Sequence, residues 1–75
     1  MPKGILRYDA VNDRWYFDKG NSGFGIHCGE TMAIKIEDQY LLGRVEMDIQ
    51  GNWYCIFEEA AFTLRRGYEY SAKID

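Results

Sequence analysis

The sequence holds one proline, one histidine, two cysteines and no long apolar run. The proline, Pro2, precedes every candidate element, so no strand is interrupted by a residue that lacks a backbone donor. One histidine and two cysteines fall short of the paired ligand spacings of a structural zinc site. No segment approaches the ~20 apolar residues of a membrane-spanning helix. The opening MPKGILRYDA has no apolar h-region, which predicts no export signal. Cys28 and Cys55 are then expected as free thiols, and the protein as cytoplasmic. Basic residues are also outnumbered: nine Lys and Arg stand against 12 Asp and Glu, for a net charge of −3. That balance argues against whole-surface attraction to nucleic acid or anionic membrane, and leaves room for a local basic patch.

What is present is apolar and aromatic. In 75 residues, 47% are hydrophobic and 16% aromatic, enough to fold without a metal or disulfide. The length predicts a single domain over 1–75. A chain this short buries only about 60% of its unfolded surface, and its expected stability is roughly 4–11 kcal/mol.

Glycine does the punctuating. Between the eight glycines lie short segments rich in aromatic and β-branched residues. GILRYD (4–9) and RWYFD (14–18) read as strands joined by a turn at Asn12-Asp13. In the second, Trp15 and Phe17 share one face and Arg14, Tyr16 and Asp18 the other. KGNSGFG (19–25) reads as a flexible loop. Met32, Ile34 and Ile36 alternate with Ala33, Lys35 and Glu37. Leu41, Gly43, Val45 and Met47 form an inner set against Arg44, Glu46 and Asp48, and Gly43 marks a bend. Beyond a hairpin tip at Gln50-Gly51-Asn52, Trp53, Cys55 and Phe57 alternate with Tyr54, Ile56 and Glu58. In FEEAAFTLRR (57–66) acids precede bases, an order that suits a helix dipole. The segment is short for a helix, and the expectation is one helical turn near 58–61 followed by a strand through Phe62 and Leu64. A last strand, YEYSAKI, puts Tyr68, Tyr70, Ala72 and Ile74 on one face. The pattern predicts an all-β fold of about six to seven short, mainly antiparallel strands. Closing such a sheet removes its edges, so a small SH3-like β-barrel is expected.

Three stretches invite a chemical reading. His27-Cys28-Gly29-Glu30 joins a thiol, an imidazole and a carboxylate. Adjacent strand residues face opposite ways, so His27 and Cys28 would not meet on one ion or act as a nucleophile–base pair. Gly29 reads as a turn or bulge before a strand. Gly23, Gly25 and Gly29 miss the dinucleotide spacing and lead into a strand, not a helix. Paired acids such as Glu58-Glu59 carry no mark of acid–base work. No catalytic residue, metal ligand or cofactor is assigned. The outward set that mixes aromatic and basic character is Tyr16, Lys35, Arg44, Tyr54 and Arg65. Such residues grip a peptide or stack on bases.

In order, ILRYD, RWYFD, HCGE, GRVE, NWYCIF and LRRGYEY resemble a family of small bacterial proteins known as domain of unknown function 5348, seen mostly in Firmicutes and their mobile elements. The resemblance covers nearly the whole chain and implies a small stand-alone β domain. It brings no catalytic residues. Together, the outward residues and the fold class lead to a non-enzymatic module that binds a protein or peptide, as a monomer or weak homodimer. The alternative is a nucleic-acid-binding barrel using Tyr16, Tyr54 and Arg44.

Overall fold

A computed structural model describes residues 3–74; Pro2 lies outside them. Eight strands form one antiparallel sheet: β1 (Lys3–Asp9), β2 (Arg14–Asp18), β3 (Gly23–Gly25), β4 (Thr31–Ile36), β5 (Gln39–Met47), β6 (Trp53–Phe57), β7 (Ala60–Thr63) and β8 (Tyr70–Lys73). The strand order is β3-β2-β1-β8-β4-β5-β6-β7. The described residues include no helix long and apolar enough to cross a membrane.

The period-two alternation carries directly into burial. Trp15, Ile34 and Val45 are fully buried, Trp53 nearly so, and Tyr70 packs against them from the side. Leu6, Phe17, Cys55 and Ala72 complete the same centre. Aromatic contacts run across it from one end of the sheet to the other: Tyr8 to Trp15, Trp15 to Tyr70, Tyr70 to Phe62 and Phe62 to Phe57, with ring centroids 5.0–6.4 Å apart. Such pairs contribute about 0.5–1.5 kcal/mol each beyond their buried area. Because Phe62 on β7 reaches Tyr70 on β8, the sheet is coiled around its own inner face. Two crossings plug the coil. Ile26 is buried where the chain runs from β3 to β4, and Leu64 where it runs from β7 to β8. The second crossing is pinned by the Arg65 backbone N–H donating to the Tyr70 hydroxyl at 3.0 Å.

Three expectations need correction. The sheet is not closed: β3 and β7 each pair on one side only, so the coil stops short of a barrel. β8 lies between β1 and β4, and no described strand joins the two edges. There are eight strands, because part of the expected glycine loop forms β3. Its backbone pairs with β2 and Phe24 packs on Phe17, centroids 5.7 Å apart. Third, no helical turn forms at 58–61. Glu58 has φ +53, outside the right-handed helical region, and Glu58-Glu59 is the tight turn between β6 and β7. The acid-to-base gradient of this segment therefore has no helix dipole to serve.

The HCGE stretch is a turn. Glu30 N–H reaches the His27 carbonyl at 3.3 Å, and Gly29 holds φ +92, the left-handed third position that favours glycine. Gly29 N–H then donates to the Val45 carbonyl while Val45 N–H donates to the Glu30 carbonyl. Two residues thus oppose one, a bulge with glycine at its first position, which steers the chain into β4.

Gly43 sits where β5 changes partner, from β4 to β6. A Cβ there would lie 2.6 Å from the Ile56 carbonyl oxygen and 2.7 Å from both Cys55 Sγ and Phe57 Cδ1. Backbone cannot retreat as a flexible side chain does, so Gly43→Ala is expected to destabilise by about 1–3 kcal/mol. For a domain of this size that is a fall in Tm of about 4–8 °C per kcal/mol, read from thermal unfolding followed by tryptophan fluorescence. An unchanged Tm would mean that β5 has room to move off β6.

Candidate functional site

Alternation that sends the core residues inward sends a second set outward, and the strand order decides which of them meet. On the outer face Lys3 on β1 is level with Lys73 on β8, Lys73 with Ala33 on β4, and Ala33 with Leu42 on β5. One row along, Asp18 on β2 is level with Ile5, Ile5 with Ser71, and Lys35 with Tyr40. Extending the β4–β8 register by a step brings Lys35 beside Ser71. Between these rows runs a groove of about 440 Å³, lined by Lys3, Ile5, Asp18, Lys19, Tyr40 and Ser71. Ser71 is the small residue between Ile5 and Tyr40, and its size makes the depression.

All four lysines of the chain, Lys3, Lys19, Lys35 and Lys73, border this region. None of them lies within ion-pair distance of a carboxylate among the described residues, where the ion pairs are Arg7–Asp18 and Arg44–Glu46, both 2.7 Å. Lys3 directly opposes Lys73 across the β1–β8 pair, an arrangement that disfavours the sheet. The Lys73 ammonium is held instead over the Tyr40 ring, 4.0 Å from its centroid, where the negative face of the ring attracts it. Asp18 is the carboxylate on the groove wall. It is committed to Arg7 and accepts the Gly20 N–H at 2.8 Å.

The residues singled out in the sequence are dispersed over this outer face. Lys35 is in the lysine region. Arg44 and Tyr54 share one patch on β5 and β6, with Glu46 level with Tyr54 and ion-paired to Arg44. Tyr16, on β2, is level with Arg7 and is separated from Tyr54 by β1, β8, β4 and β5. Arg65 lies just past β7, with its guanidinium 5.6 Å from the Tyr68 ring centroid. Lys3, Lys19, Lys73 and Tyr40 were not singled out. The alternation already turns Lys73 outward opposite Ala72, but nothing in the sequence sets β8 beside β1 and β4.

Two other regions hold chemistry-bearing groups. His27 and Cys28 border a shallow pocket of about 190 Å³ with Arg14, Met47 and Trp53. Among the described residues no group of three or more His, Cys, Asp or Glu is placed to share an ion. Near the β1–β2 turn, the Tyr8 hydroxyl donates to Asp13, and this bond holds the phenol above its ordinary pKa. At the β5–β6 turn, Asp48 accepts the backbone N–H groups of Asn52 and Gln50, both at 2.9 Å, and is held below the usual carboxylate range, first by the Asn52 bond.

The profile of the family described as Domain of unknown function (DUF5348) matches residues 4–74. The chain belongs to the DUF5348 family. Comparison with curated proteins and with solved structures gave no match. Membership assigns no activity, so the site must be read from its own geometry.

The two thiols of this DUF5348 domain differ sharply. Cys55 is buried, which pushes its pKa up from 9.0 to about 11, whereas Cys28 is exposed in its turn. The thiolate is the reactive form, so at pH 8 one thiol should react promptly with Ellman's reagent and the second only on addition of denaturant. The raised Cys55 value also fixes a sign. Its neutral form stabilises the fold below pH 9.0, and that contribution is lost as pH rises through about 11. Equal rapid modification of both thiols in the native protein would place Cys55 outside the core.

Proposed function

We propose that this DUF5348 domain is a non-enzymatic binding module whose outer face takes an acidic, partly apolar peptide segment of a protein partner. The observation that carries this reading is that Lys3 and Lys19 line one groove of an acidic chain and the outward Lys35 and Lys73 stand on the adjoining rows, without carboxylate partners among the described residues. Lys3 facing Lys73 costs stability in the free domain. A carboxylate between them relieves that repulsion, which is differential free energy for binding an anion. Ile5 and Leu42, 38% and 66% exposed, supply apolar contacts beside the charges.

The nucleic-acid reading is weaker on the same geometry. Stacking needs aromatic faces open along a basic track. Here the Tyr40, Tyr68 and Tyr8 faces are occupied by Lys73, Arg65 and Arg66. Arg44, the base named for that reading, is ion-paired to Glu46. Two unpaired cysteines support a reducing compartment, hence the cytoplasm. The Firmicutes and mobile-element setting implied by the sequence resemblance indicates where a partner is to be sought.

Titration of the isotope-labelled domain with a peptide of alternating Glu and Leu should move the amide signals of Ile5, Tyr40, Ser71 and Lys73. The paired change Lys35→Glu and Lys73→Glu should weaken that binding at least tenfold in a domain that still unfolds in one cooperative transition, although the Tm itself shifts because the Lys3–Lys73 repulsion and the Lys73–Tyr40 contact are both lost. Oligothymidylate at low salt should leave those signals in place. Shifts with the oligonucleotide and none with the peptide would transfer the groove to the nucleic-acid reading, whose affinity then falls steeply with salt.

A further inference from the structure

The coil leaves β7 as a short open edge, and the sequence flanking it is its own complement. The β6–β7 ladder sets which backbone groups are free. Leu64 N–H donates to the Trp53 carbonyl, so Leu64, Phe62 and Ala60 turn their backbone groups toward β6. Ala61 and Thr63 therefore point their N–H and C=O groups away from the sheet, and among the described strands none pairs with them. Native sheets usually guard such an edge with lysine, proline, a bulge or a covering loop. The sequence of β7 is Ala60-Ala61-Phe62-Thr63, with neither charge nor proline.

We infer that β7 is a dimerisation edge, and that it pairs antiparallel with β7 of a second copy about a two-fold axis at Phe62. Two independent features select this register. The first is backbone polarity: with Phe62 opposite itself, Ala61 falls opposite Thr63 of the second copy. Those are the residues whose backbone groups are free, so each exchanges N–H···O=C bonds with the other. A shift that pairs residues of odd sum sets an outward residue against an inward one and loses the ladder. The second is charge. Carried past the ends of β7 into the flanking turns, the same register brings Glu59 toward Arg65 and Glu58 toward Arg66 of the second copy, once at each end of the pairing. Other in-phase registers move acids off bases. None of these four residues has an ion-pair partner among the described residues. Arg66 already donates to the Gly51 carbonyl at 2.8 Å, which leaves Glu59 and Arg65 as the pair that decides the register. Symmetric pairing of one patch with itself is the commonest route to a closed dimer. The acid-first, base-last order of residues 57–66 belongs to this edge and not to a helix.

The test is sedimentation equilibrium across roughly 10 μM to 1 mM, the range in which a short edge ladder is expected to associate. The domain should pass from 8.8 kDa toward twice that mass. Thr63→Pro removes an outward N–H without touching the β6 ladder and should weaken association at least tenfold. Arg65→Glu should do the same by setting two carboxylates face to face. Adding Glu59→Arg to it exchanges the charges and should restore association to within about threefold of the parent. The exchange decides the matter even where the proline variant fails to fold, which its circular dichroism melt would reveal. A monomer throughout the concentration range overturns the inference. So does a dimer indifferent to Arg65→Glu, or one that the exchange leaves unrestored. The charge changes lie off the lysine groove, so peptide binding there should persist whatever the oligomeric result.

Discussion

The last strand enters the middle of the sheet, and the rest of the structure follows from that insertion. β8 pairs with β1 on one side and β4 on the other. It joins the β1–β2–β3 unit to the β4–β7 meander, which otherwise share no ladder. Its inward residues, Tyr70 and Ala72, complete a core to which both units contribute. Of its outward residues, Ser71 lines the groove and Lys73 stands beside it over the Tyr40 ring. By passing over β7 to reach this place, the chain also leaves β7 with one free side. Core, groove and open edge are thus three consequences of one long-range pairing. Such a pairing must meet its loop-closure entropy before its contacts form.

Energetically the arrangement mixes favourable and unfavourable terms. The aromatic contacts that cross the core tie the ends of the coil together without a closed ladder, and Phe62 is their link to the open edge. Against this stand the facing lysines, the left-handed backbone of Glu37 and Glu58, and two buried tryptophan N–H groups with no acceptor among the described residues. Each such feature costs on the order of 1 kcal/mol, a large share of the stability open to a domain of this size. The facing lysines sit at the groove and Glu58 beside the open edge.

Much of the fold was legible from residue order. Trp15 and Phe17, Met32 and Ile34, Trp53 and Cys55 all face the centre that their alternation indicated. Gly29 and Gly43 serve as a bulge and a point of close approach. Two misreadings have physical causes. Glycines at 23 and 25 weaken strand propensity, and only the neighbouring β2 makes β3 worthwhile. The charge gradient at 57–66 suits a helix dipole, and the left-handed Glu58 makes the segment a hairpin turn instead. The candidate site was less legible. Tyr16, Lys35, Arg44, Tyr54 and Arg65 share an outward disposition but not a neighbourhood.

The sequence by itself determined the all-β class, the inner and outer faces of most strands and several of the turns between them. These depend on a two-residue period and on local backbone preference, both carried by neighbours in the chain. Only the tertiary structure decided the strand order, the failure of the sheet to close, the gathering of the lysines and the exposure of β7. Which strand lies beside which is settled by contacts between residues far apart in sequence, and an alternating pattern is satisfied by many strand orders alike.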